Sequence, residues 1–295
     1  MEVIKITPRG FCIGVVNAWK IVLQTRKEFP NSRIYMLGWF VHNKHMVEDI
    51  LDQNIIVLDD KNTSRYDLVK NNPFQPGDIL ILSAHGTDEK TIQLAKEIGY
   101  HVVDTTCRYV TDTHNVIKEG LKNNKIIFYL GKTYHPESNA SIALDKDRIK
   151  LITNLQDLEK LVPEYQDQEI LVTNQTTLSK LDLQDYYDFI TTHFHHYEIR
   201  NDLCDATQER QNALLNLSIK VDLLIVVGDP KSNNSNQLLR IGLRRKIPSY
   251  LINNLSELDT CWLKNVHKVA VTSGASTPTR ITNEVIQYLE NWKEE

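Results

Sequence analysis

The chain has 295 residues, enough for two or three domains, and its 41% apolar and 24% charged content is that of an ordinary globular protein. Its formal net charge of -4, with Lys and Arg scattered among Asp and Glu, excludes the basic stripe of a nucleic-acid binder and the like-charge block of an interaction tail. The most apolar run, VDLLIVV at 221–227, is too short to cross a bilayer, and the first residues lack a signal-peptide pattern, so no membrane partner and a cytoplasmic location are expected.

In chain order, the apolar Val3, Ile4 and Ile6 predict a strand, and Val15, Ala18, Trp19 and Val22 predict one face of a helix, with Cys12 at the turn between them. IYMLGWFVHN follows as a strand ending in a polar loop with His42 and Asn43, and IIVLDD as another strand. The wet insertion at 61–78, with Pro73, Pro76 and Gly77, reads as a surface loop. ILILSAHG is then a strand ending at His85. The same parts recur from 102 onward. Val102 and Val103 precede Cys107, and a helix with Val110, Ile117 and Leu121 follows. IIFYLGKTYHPE ends at His135 and Glu137, IKLIT is a strand, and ILVTNQTT ends at Thr176. They recur again around Cys204, with a helix carrying Ala206, Ala213, Leu214 and Leu217, then LLIVVGDPKSNN with Ser232, SYLI, and VAVTSGAS with Ser276. Cys261 stands outside this repeat, in the helix-like SELDTCWLKNV, where Ser256 and Asp259 read as a capping pair.

Cys12, Cys107 and Cys204 stand 95 and 97 residues apart, each at a strand-to-helix turn. Self-similarity at a fixed period is architecture. It predicts an α/β fold of three similar small domains with mostly parallel sheets, spanning 1–103, 104–200 and 201–295, around a pseudo-threefold axis. Ligands of such sheets lie beyond the carboxyl ends of the strands, where all these loops point.

With no CxxC pair and a reducing compartment expected, the cysteines read as free thiols. Three thiolates about a threefold axis suit a cubane iron–sulfur cluster with one iron left open, and a helix N-terminus favours the thiolate. A zinc site of three Cys and one His fits the spacing as well. The polar loops offer imidazoles, hydroxyls and amides, a lining suited to an anion, and DPKSNNSNQLLRIGL has the look of a phosphate cradle at a helix mouth. The other histidines, His45, His101, His114, His193, His195, His196 and His267, read as structural.

PRGFCIGV, VHN, SAHG, DTTC, HPE, NQTT, LCDAT, SNNSN and SGASTP, in this order along nearly the whole chain, resemble the 4-hydroxy-3-methylbut-2-enyl diphosphate reductase family. The resemblance implies three α/β domains around one central [4Fe-4S] cluster per chain, held by Cys12, Cys107 and Cys204. It implies reductive dehydroxylation of an allylic diphosphate, the last step of the methylerythritol phosphate route to isoprenoids. His42, His85, Ser232, Asn234 and Ser276 would bind the diphosphate with His135 close by, and Asn233 standing where many members carry serine. Glu137 would deliver protons, helped by Thr176. No flavin motif or second cysteine set is present, so a separate flavodoxin or ferredoxin is expected to bring electrons to a monomer. The chain departs from the family pattern at Arg108 after the second cysteine, at Tyr134, and at Asn139 and Ala140 after HPE.

Overall fold

The protein is described by a computed structural model covering residues 1–60 and 62–293. The first stretch of chain contains β1 (Glu2–Lys5), α1 (Ile13–Glu28), β2 (Ile34–Leu37), α2 (Lys44–Asp52), β3 (Ile55–Leu58), α3 (Arg65–Asn71), β4 (Ile79–Leu82), α4 (Glu89–Ile98) and β5 (His101–Asp104). Next come α5 (Arg108–Lys122), β6 (Ile126–Leu130), α6 (Pro136–Ile142), β7 (Ile149–Ile152), α7 (Leu155–Tyr165), β8 (Glu169–Asn174), α8 (Lys180–His193) and β9 (His196–Ile199). The last are α9 (Asp205–Leu215), β10 (Leu223–Val227), α10 (Asn233–Arg244), β11 (Ser249–Ile252), β12 (Lys268–Ser273) and α11 (Thr279–Asn291).

The strands form three four-stranded sheets in the orders β3-β2-β4-β5, β7-β6-β8-β9 and β11-β10-β12-β1, with every pairing parallel. Sequence explains the order. The inner β2, β4 and β10 read IYML, ILIL and LLIVV and are buried throughout, because helices cover both faces of a parallel sheet. The edge strands β1, β5 and β9 read EVIK, HVVD and HYEI and keep polar or exposed positions.

In each sheet the closing edge strand is the one that leads into a cysteine. For Cys12 that strand is β1, and its ladder from Glu2 opposite Lys268 to Lys5 opposite Val271 joins it to the last sheet. The first third, expected over 1–103, therefore contributes its first strand to the sheet of the third expected over 201–295. By contact the chain divides into two compact units: residues 1–17, 41–49 and 205–295 in one, residues 18–40 and 50–204 in the other. The first contains the sheet of β1, β10, β11 and β12, with Leu223, Ile225 and Val271 packed under α11 and Leu224, Val226 and Leu238 on the opposite face. The second contains the other two sheets. One has a core of Tyr35, Leu37, Leu80 and Tyr100, the other a core of Phe128, Leu158, Ile170 and Phe194. Fully burying each such side chain contributes about 2 kcal/mol.

Two local expectations are corrected. The insertion at 61–78 is not all loop, although its first residue, Lys61, lies outside the described residues. Ser64 Oγ accepts from Asp67 N at 3.1 Å and caps α3, whose Val69 is buried in the core. The loop expected around Pro73, Pro76 and Gly77 does form after α3, with Pro76 and Gly77 in a turn and Gly77 at φ +92. The segment around Cys261 is two short 3-10 turns rather than a helix. Asn254 caps Ser256 N and Asp259 caps Cys261 N, so Ser256 and Asp259 serve separate turns.

Candidate active site

The three thirds share one frame. Directly after β2, β6 and β10 come Gly38, Gly131 and Gly228, whose N–H groups donate to the last carbonyl of the neighbouring strand, Leu58, Ile152 and Ile252. Four residues beyond each glycine stands His42, His135 or Ser232. A Cβ on Gly131 would lie 2.7 Å from Ser138 Oγ, and one on Gly228 would collide with Ser235 Oγ, so both positions need glycine for close approach.

Each repeat cysteine immediately precedes the first residue of a helix, α1, α5 or α9. Its own N–H is spent identically in all three thirds: Cys107 N donates to Ala84 O, Cys204 N to Thr176 O and Cys12 N to Ala275 O, each at 3.0 Å. Those acceptors lie two residues beyond the ends of β4, β8 and β12. This bond resets the alignment of the repeat. Thr176 matches Ala84 and Ala275, whereas His85 and Ser276 match Thr177. The order of parts along the chain sets Thr176 beside His85 and Ser276, but Thr176 stands two residues beyond its strand and the other two stand three beyond theirs.

In the unit containing 50–204, the expected catalytic residues meet. His135 caps the first turn of α6, with its Nδ1 accepting from Glu137 N at 3.2 Å and Pro136 at the first helical position. This places the Glu137 carboxyl, which is only 2% exposed, against the end of β8. Thr176 N donates to Glu137 Oε1 at 2.7 Å and Thr176 Oγ1 to Oε2 at 3.1 Å. Burial pushes the Glu137 pKa up to about 7, while the Thr176 N–H, the Thr176 hydroxyl and the nearby Tyr129 phenol pull it down. A carboxyl poised there can hold or release a proton near neutrality. Tyr129 itself is driven well above the ordinary phenol range, first by burial and then by the Glu137 charge. His85 and His135 meet edge to face, their ring centroids 5.6 Å apart.

The unit containing 205–295 holds five of the expected diphosphate residues, His42, Ser232, Asn233, Asn234 and Ser276, while His85 and His135 belong to the unit containing 50–204. Ser232 caps α10 by accepting from Ser235 N, so Asn233 and Asn234 form the first turn of a helix, whose positive dipole end suits an anion. All three are at least 96% buried. Asn234 Oδ1 accepts from Ala275 N at 3.0 Å, and its Nδ2 donates to Thr207 Oγ1 at 3.2 Å. Ser276 Oγ donates to the carbonyl of His42 at 3.2 Å, which joins two more of the expected ligands.

The three thiols are chemically suited to ligate a cluster. None of the four cysteines is joined in a disulfide. Cys12 Sγ accepts from Val15 N at 3.4 Å, an ordinary N–H···S length, and a donor at a helix N-terminus favours the electron-rich thiolate. Cys261 is exposed, in a different setting, and belongs to no such frame.

Sequence reasoning passed over two arginines that hold these loops. Arg65 opens α3, in the insertion read as loop, and its only advance signal is the Ser-x-x-Asp cap that it sits inside. Arg210 of α9, 2% exposed, donates to Gly10 O at 2.7 Å just before Cys12.

A family model described as LytB protein matches residues 3–290. The 4-hydroxy-3-methylbut-2-enyl diphosphate reductase of Malacoplasma penetrans (strain HF-2) is 44% identical over 98% of this chain and 97% of its own length. A solved structure of the E-1-hydroxy-2-methyl-but-2-enyl-4-diphosphate reductase from Plasmodium falciparum superposes with TM-score 0.90 at 32% identity, over 98% of this chain and 88% of that one. A second solved structure, of an (E)-4-hydroxy-3-methyl-but-2-enyl diphosphate reductase, shares the fold with TM-score 0.70 at 23% identity, over 99% of this chain and 100% of that one. The chain therefore belongs to the LytB family of 4-hydroxy-3-methylbut-2-enyl diphosphate reductases.

Proposed function

We propose that the protein reduces (E)-4-hydroxy-3-methylbut-2-enyl diphosphate to isopentenyl and dimethylallyl diphosphates, the last step of the methylerythritol phosphate pathway. The observation that carries this reading is the backbone bond made identically by the three cysteines, because it gives each third one thiol in one setting. Cys12, Cys107 and Cys204 would hold one [4Fe-4S] cluster per chain. Bound there, the cluster would supply Lewis-acid polarisation of the substrate hydroxyl and a route for electrons.

The chain's own residues do the rest. Ser232, Asn233 and Asn234 at the mouth of α10, with Ser276, His42, His85 and His135, bind and orient the diphosphate by hydrogen bonds. Net reduction of an alcohol to a hydrocarbon takes up two electrons and two protons. One proton leaves with the oxygen as water and the other ends on carbon. Glu137 holds a proton at its carboxyl near neutrality and delivers it, while Thr176 fixes the carboxyl's orientation through two hydrogen bonds. Electrons come from a separate flavodoxin or ferredoxin to a cytoplasmic monomer. Among the described residues no helix is long and apolar enough to cross a membrane.

Anaerobic purification followed by iron and sulfide quantitation tests the reading. Bound iron and sulfide should be present in the unaltered protein and lost from Cys12→Ser, Cys107→Ser and Cys204→Ser, but retained in Cys261→Ser. A colourless, zinc-containing protein that turns over without an external reductant would overturn it.

A further inference from the structure

The loop at 83–87, which carries His85, is gripped from outside the repeat. Arg65 Nη1 donates to Gly86 O at 2.6 Å and to Thr87 Oγ1 at 3.1 Å, and Nη2 donates to Ser83 Oγ at 2.9 Å. One planar guanidinium thus binds the residues on both sides of His85, a geometry that no point charge reproduces. Its enclosure lowers the Arg65 pKa to about 10, against the pull of the Asp59 and Asp88 carboxylates, and leaves the group charged at any working pH.

The gripped residue is a junction. Gly86 has φ +83, a conformation that side chains resist. A Cβ there would lie 3.1 Å from Val110 and 3.3 Å from His114, both on the helix headed by Cys107, and 3.7 Å from Ala140 on the helix that carries Glu137. Three functional elements converge on one carbonyl-bearing glycine, and Arg65 holds that carbonyl. Gly38 leaves room for the arginine, since a Cβ there would press to 2.7 Å from Nη2.

We propose that Arg65 is a positioning residue for diphosphate binding, acting through His85 by holding the Gly86 carbonyl on one side of it and the Ser83 hydroxyl on the other. The proposal rests on the reading of His85 as a diphosphate ligand. A misplaced ligand loses affinity steeply, so freeing this loop weakens binding of the anion without touching it.

The test is a double-mutant cycle on anaerobic holoenzyme, with inorganic pyrophosphate titrated calorimetrically and iron and sulfide measured for every variant. Arg65→Ala is expected to raise the pyrophosphate Kd about tenfold or more, and Arg65→Lys by less, each with cluster content unchanged. Arg65→Ala/His85→Ala should bind no more weakly than His85→Ala alone, since the arginine acts through the histidine. Should Arg65→Ala fail to fold, Arg65→Lys takes its place in the cycle. An unchanged Kd, or losses that add, overturns the role of Arg65 while leaving His85 as a ligand. A His85→Ala variant that binds pyrophosphate normally overturns the underlying reading of His85, and this proposal with it.

Discussion

Two loops of this molecule occupy the same place in the repeat and make the same bond with different chemistry. In one, six residues after Gly131, Glu137 Oε1 accepts from Thr176 N at 2.7 Å. In the other, six residues after Gly228, Asn234 Oδ1 accepts from Ala275 N at 3.0 Å. Thr176 and Ala275 are matched by their carbonyls, each of which receives a cysteine N–H. In the remaining third, Ala84 N donates to the backbone carbonyl of Phe40 at 3.3 Å. An amide or a carbonyl therefore suffices to close the loop. What Glu137 adds to the frame is a titratable proton, and burial has raised its pKa to where that proton can be used.

The comparison is tested hardest by Glu137→Gln. The amide can still accept from Thr176 N, as Asn234 does in its own frame, so the fold and cluster content should persist. Turnover should fall by roughly 10²–10⁴-fold, the usual worth of a positioned proton donor. In the unaltered enzyme, kcat should decline as pH rises through about 7, because the acid works only while protonated. In Glu137→Gln that limb should be absent from whatever activity survives. The reverse exchange, Asn234→Asp, retains an acceptor for Ala275 N but sets a like charge beside the diphosphate that Asn234 is proposed to bind. A KM increase of roughly tenfold or more is expected from that repulsion, measured by steady-state kinetics. A smaller effect follows from Thr176→Val, which removes only the hydroxyl bond to Oε2. That bond favours the anion, so its loss should move the declining limb to higher pH while the main-chain bond persists. The smallest concerns Tyr134, three residues after Gly131, which is 92% exposed at φ +59. Its counterpart Lys231 is not among the described residues with positive φ. Tyr134→Gly should relieve the left-handed conformation by up to about 1 kcal/mol, seen as a higher denaturant midpoint.

Much of this was legible in the sequence. Uninterrupted apolar runs such as LLIVV announce inner parallel strands, and a thiol followed by helical periodicity announces the turn. Strand order was not legible where it depends on partners far apart in the chain, and so β1 was placed with its sequence neighbours rather than beside β12. The one-residue offset of Thr176 needed the hydrogen bond from Cys204 to expose it, since Thr176 and Thr177 are adjacent threonines that composition does not tell apart. α3 was hidden by the Asn and Pro residues that follow it, although Ser64 and Asp67 spell its cap. Arg65 could not be found because its partners lie 18 to 22 residues away, on a loop that only folding brings to it. Ala140 could be noted as a departure, but not that its methyl backs onto Gly86.

The pairing of β1 with β12 bears on how the chain is made. A ribosome releases β1 first and β12 among the last, so the strand feeding Cys12 waits through most of translation for its neighbour. By then the sheets that precede Cys107 and Cys204 are already able to form. The bond from Cys12 N to Ala275 O is thus deferred until synthesis is nearly finished, and a prematurely terminated chain would hold Cys107 and Cys204 in their frames with Cys12 on a loose end.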